Sequence, residues 1–166
     1  PEGLGARILG FKEGESQVGE WPHMCALLRE ETIAEETAEG YEGGELKSTT
    51  VNHFICGASL ISQGAVLTGA HCVNSYSENH ILKVRCGEWD TQTETEAYPH
   101  QDRYVSNFVV HPLFNGQNLF NDYAVLFTTA DFSMDHNVDT VCLPKPEETF
   151  VNEDCFATGW GKDQFG

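Results

Sequence analysis

An all-β fold is predicted by three observations. Short apolar runs of strand length recur along the chain, turn residues punctuate them, and no long amphipathic helical period interrupts the series. Six cysteines occur without a Cys-x-x-Cys pair, which favours an oxidised, bridged framework over a zinc site or a cytosolic redox motif. With 40% hydrophobic residues among 166, the chain has enough apolar content for a true core. It carries 26 acidic against 9 basic side chains, a formal net charge of −17. Like charge repels a phosphate backbone, so nucleic acid is excluded as a partner, whereas cationic partners or calcium are admitted. A solvated acidic surface accounts for most of these carboxylates without any ligand. No run is long and apolar enough to span a membrane. No signal peptide is visible, so secretion is an expectation from the cysteines.

Taken in order, residues 1–7 read as a glycine-containing linker that ends at Arg7, and Ile8-Leu9-Gly10 follows. Residues 15–29 form a turn leading into a strand that holds Cys25, with Pro22 at its start, where no ladder donor is lost. Residues 30–50 are glutamate, threonine and glycine, and are expected to form an exposed acidic loop. The apolar run 54–61 predicts a strand carrying Cys56. A second run, 65–68, ends in small residues that allow a sharp turn, so His71 emerges at a strand end where a cleft can form. Cys72 follows at once; a bridge to Cys56 would close a loop of roughly 15 residues and contribute on the order of 3 kcal/mol.

Residues 73–80 read as a short helix or loop, and 81–86 as a strand ending at Cys86. Cys25 and Cys86 each fall in a strand, and a bridge follows if those strands are neighbours; the pairing stays open at the level of sequence. In the turn 87–96, Glu88, Asp90, Glu94 and Glu96 offer closely spaced oxygen ligands that suit calcium, and a plain acidic hairpin fits the same residues. Residues 103–112 form a strand closed by Pro112. Asp122 then sits between an asparagine and an apolar strand, where a short acid can cap a turn.

Cys56-Gly57-Ala58-Ser59-Leu60-Ile61 and Leu67-Thr68-Gly69-Ala70-His71-Cys72 closely resemble the trypsin/chymotrypsin-like serine proteases, whose segments usually read Cys-Gly-Gly-Ser-Leu-Ile and Thr-Ala-Ala-His-Cys. Gly19 to Pro22, Val109 to Phe114, Asn121-Asp122-Tyr123-Ala124-Val125-Leu126, Val141-Cys142-Leu143-Pro144 and Cys155 to Gly161 resemble further segments of that family. The resemblance implies a Greek-key double β-barrel, of which residues 8–140 are the first barrel and 141–166 the connector and the start of the second. It implies His71 as the catalytic base and Asp122 as the acid that orients it, in the family's order along the chain. Cleavage between Arg7 and Ile8 would free the amine that shapes the oxyanion hole; Phe11 stands where the family has a second glycine. His111 takes a structural place. Cys142 would bond an amino-terminal segment and Cys155 a downstream cysteine. The nucleophile is absent, since Ser59 and Ser62 lack the glycine-rich turn that presents it, and that turn belongs to a second barrel outside these residues.

The turn 87–91, the stretch 120–126 and residues 157–166 look like those of arthropod clip-domain serine protease homologues, the masquerade-like and prophenoloxidase-activating cofactors. That likeness implies a secreted pseudoenzyme that binds components of a protease cascade or prophenoloxidase. The alternative is an active serine endopeptidase whose serine lies further along.

Overall fold

A computed structural model describes residues 16–34, 48–76, 80–93 and 95–160. Among the described residues, six strands and one short helix follow in the order β1 (Met24–Ala34), β2 (Ser48–Ser62), β3 (Ala65–Thr68), α1 (Ala70–Val73), β4 (Ile81–Cys86), β5 (Gln101–Val110) and β6 (Ala124–Thr128). All pairings are antiparallel, and the strands close into a barrel in the spatial order β1-β2-β3-β6-β5-β4, with β4 returning to β1. Closure leaves no long edge at the barrel waist and directs alternate side chains inward.

In β4, Leu82, Val84 and Cys86 are buried and lie on one face. They meet Cys25 and Leu27 of β1, Leu60 of β2, Val66 of β3 and Leu126 of β6, and Phe132 and Val138 complete the core from the loop after β6. The barrel bends at three register shifts among the described residues, one of which leaves Ile61 extra on β2 opposite β3. Another passes from Leu27↔Cys56 to Leu28↔Phe54, leaving Ile55 extra on β2. The third leaves Ser106 extra on β5, and its hydroxyl donates to the Phe127 carbonyl at 3.0 Å.

Two sequence expectations are corrected. The acidic stretch 30–50 is not loop throughout. Its ends belong to a hairpin whose pairing continues from Glu30↔Asn52 to Ala34↔Ser48, because Thr32, Ile33, Thr49, Thr50 and Val51 are β-branched and suit a ladder. Residues 35–47 lie outside the described residues. Of the short helix or loop expected over 73–80, the described residues 74–76 are turn and loop, and the helix lies earlier, starting at Ala70, where the Cys72 N–H reaches the Gly69 carbonyl and the Asn74 N–H the Ala70 carbonyl. It therefore contains His71.

Beyond β6 the chain runs in turns and extended segments, and residues 141–160 contain no strand. Their contacts with the preceding residues include the Val141 N–H to the Leu60 carbonyl, the Trp160 indole to the Trp89 carbonyl at 3.2 Å, the Thr158 hydroxyl to the Met24 sulfur and the Phe156 ring against Trp21.

Candidate active site

Strand register brings His71 and Asp122 together although they are far apart in sequence. Strands β3 and β6 pair with Thr68 opposite Ala124, so the residues just after β3 lie beside those just before β6. His71 comes three residues after Thr68, and Asp122 two before Ala124. One carboxylate oxygen of Asp122 accepts the His71 backbone N–H at 2.8 Å, and the other meets the imidazole Nδ1 at 2.6 Å. The backbone N–H is the chief reason that the Asp122 carboxyl lies below its usual range, and the ring adds to it. An ionised carboxylate only accepts, so Nδ1 carries the proton toward it and a neutral ring keeps Nε2 as the atom that can take another. The His71 side chain is 55% exposed and Asp122 19%.

Asn121 supports this geometry from a left-handed backbone, φ 54°, and its side-chain amide donates to the Leu113 carbonyl at 3.1 Å. His111 stacks on Tyr123 with ring centroids 4.6 Å apart, and its Nδ1 accepts the Leu113 N–H. The turn between β5 and β6 is thereby closed on itself and holds Asp122 at its end.

Cysteines 56 and 72 are bonded to each other, and so are Cys25 and Cys86, which face one another across β1 and β4 in the barrel core. Cys142 and Cys155 are free and exposed. Nε2 of His71 lies 3.4 Å from the Cys72 sulfur and 3.9 Å from that of Cys56. The three residues would otherwise be a metal set, but sulfurs bonded to each other offer no thiolate. Among the described residues no hydroxyl hydrogen-bonds Nε2. Ser59 lies in β2 opposite Leu67, and Ser62 opposite Ala65. Arg7 and Ile8 lie outside the described residues.

The acids expected to hold calcium are turned to protein donors instead. Glu88 is buried, with one oxygen facing Arg85 at 3.2 Å and His100 at 3.3 Å. Asp90 accepts the Gln92 N–H, and Glu96 the Asp90 N–H at 2.7 Å. Glu94 lies outside the described residues. Among the described residues, only the second oxygen of Glu88 is buried without a partner. Burial raises the Glu88 carboxyl above its usual range, which disfavours its charge. Among the described residues these acids do not gather into a three-ligand set, and the Arg85 guanidinium opposes a divalent ion there. The described acids of the turn, Glu88, Asp90 and Glu96, do not by themselves form a calcium cage.

Sequence reading missed the charge chain to which Glu88 belongs. Lys83 joins Glu30 at 3.2 Å and Asp102 at 3.3 Å, and Arg85 grips Asp102 through two nitrogens at 2.8 and 3.0 Å. The available signal was the placing of Lys83 and Arg85 on one face of β4, two residues apart.

A family model described as Trypsin matches residues 13–166. The chain belongs to the trypsin family. Over 165 residues this trypsin-family chain is 44% identical to phenoloxidase-activating factor 2 of Galleria mellonella, covering 99% of this chain and 51% of that protein. It is 36% identical to the inactive CLIP domain-containing serine protease A3 of Aedes aegypti, covering 92% of this chain and 28% of that one. Protein masquerade of Drosophila melanogaster is 30% identical over 94% of this chain, which spans 13% of it. The chain thus spans about half, or less, of these relatives' length. A solved structure described as "Structure of GrC" superposes with a TM-score of 0.58 at 21% identity, covering 81% of this chain and 49% of that one, a likeness of fold.

Proposed function

We propose that the chain is the first barrel, with the start of the second, of a secreted trypsin-like domain that serves as a binding cofactor in a prophenoloxidase-activating cascade. The observation that carries this reading is the 44% identity to a phenoloxidase-activating factor across nearly all of the chain. Relatives whose names read "inactive" support the pseudoenzyme part of it. In this reading His71 and Asp122 are the base and its orienting acid, kept as structure where no serine completes them. The cut between Arg7 and Ile8 activates the domain, Cys142 and Cys155 bond partners outside these residues, and protein partners meet the hairpin of β1 and β2.

A second reading, an active serine endopeptidase, is favoured by the intact His71–Asp122 pair, with Nδ1 2.6 Å from the carboxylate. A fluorophosphonate probe applied to the full-length protein after cleavage at Arg7 separates the two. Absence of covalent labelling, with faster prophenoloxidase conversion when the protein is added to an active protease, is expected. Labelling of a serine overturns the cofactor reading.

A further inference from the structure

Nothing in the charge or size of Gly69 suggests a role in the site, yet its lack of a side chain decides where the imidazole of His71 lies. A Cβ built at position 69 would stand 2.8 Å from both Nδ1 and Cε1 of His71, and 3.3 Å from the Cys72 sulfur. Carbon atoms do not approach so closely, so the space that a methyl group would fill is already taken by the ring. Gly69 itself has an extended backbone, φ −69° and ψ 138°, which any residue can adopt. Its use here is therefore room, not conformational freedom.

With that room available, the ring leans onto the disulfide while Nδ1 stays on Asp122. Nε2 is then 3.4 Å from one sulfur and 3.9 Å from the other. We propose that Gly69 is a positioning residue that parks the His71 ring against the Cys56–Cys72 disulfide, so that its proton-accepting nitrogen is shielded by sulfur. The inference rests on the reading of Nε2 as the proton-accepting atom of the site and deepens it, since a parked base suits a domain that binds without cleaving. A methyl group at 69 would overlap the ring where it now lies, so the ring would have to leave its present place beside the sulfurs.

The test is the rate at which diethyl pyrocarbonate acylates His71, followed by peptide mapping of the full-length protein. Rates are taken at the alkaline plateau, where the histidine is neutral and differences in its titration drop out. The reference is a peptide of residues 65–76 with both cysteines alkylated. His71 in the protein is expected to react about tenfold more slowly than in that peptide, the factor for roughly 1.4 kcal/mol of barrier. Gly69→Ala is expected to recover most of that factor with the disulfide still mapped as intact. Equal rates in protein and peptide, or a folded Gly69→Ala protein with the unchanged slow rate, would overturn the inference. The comparison of protein with peptide needs no variant, so it stands even where Gly69→Ala does not fold. A labelled serine together with a shielded His71 would sink the cofactor reading and leave this inference, and the reverse pair of results would do the opposite.

Discussion

Asp122 uses both of its oxygens on one residue, the backbone N–H and the ring of His71, and that double hold gives the site its pH behaviour. A carboxyl whose folded pKa is depressed contributes stability that is present above the unfolded value and lost as pH falls through the folded one. Asp122→Asn is therefore expected to lower the urea midpoint at neutral pH. The gap to the wild type should close as pH falls below about 4, the ordinary carboxylate value. A gap that stays constant across that range, followed by circular dichroism, would count against the assignment. Asn121 offers a second residue-scale test. Its left-handed backbone suits asparagine or glycine and strains a β-branched residue. Asn121→Val, which also loses the bond to Leu113, should cost about 2 kcal/mol, whereas Asn121→Gly should cost less.

At the scale of elements, the barrel wall of β1, β4 and β5 is stapled twice. The bond between Cys25 and Cys86 joins strands whose cysteines are 61 residues apart in sequence, and replacing both by alanine should cost about 4 kcal/mol in the chain-entropy account. On the outer face, Arg85 is shared between Asp102 and Glu88. Its hydrogen bond to Asp102 is the main reason that the guanidinium holds its proton more firmly than usual. Burial alone would raise the Asp102 carboxyl, but Arg85 and then Lys83 outweigh it and lower the value. Arg85→Gln should lose about 2 kcal/mol at neutral pH, because Asp102 is left with Lys83 alone and Glu88 with His100 alone. The loss should shrink on acidification as both become neutral. Adding calcium to the wild type is expected to leave the thermal midpoint where it was, and an upward shift would reinstate a metal site in the turn 87–96.

For the whole molecule, the barrel is closed but the segment leading away from it is not covered. Phe156 is 84% exposed and Val151 77%, and Leu143 and Phe150 are largely open as well. Apolar surface of this kind marks an interface. Expressed alone, the 166-residue chain is expected to associate with rising concentration in light-scattering chromatography, while a longer protein carrying a second barrel stays monomeric. A strictly monomeric 166-residue chain at high concentration would argue against a missing partner for that segment.

Much of this was legible in the chain by itself. The all-β class, most strand positions, the residues of the candidate site and the family motifs are written locally, because strand periodicity, turn residues and short motifs act over a few neighbours. His71, Asp122, Cys56 and Cys72 could be picked out in this way. What only the tertiary structure decided depends on register and crowding between distant segments. That Thr68 stands opposite Ala124 places an imidazole on a carboxylate. That Cys25 stands opposite Cys86 selects one bridge among many. That Arg85 lies beside Glu88 sets a cation where a metal ligand was expected, and that Gly69 leaves a ring-sized space is visible only once the ring is there to fill it. Local sequence fixes which groups are present; the closed barrel sets the distances between them, and chemistry at a site depends on those distances.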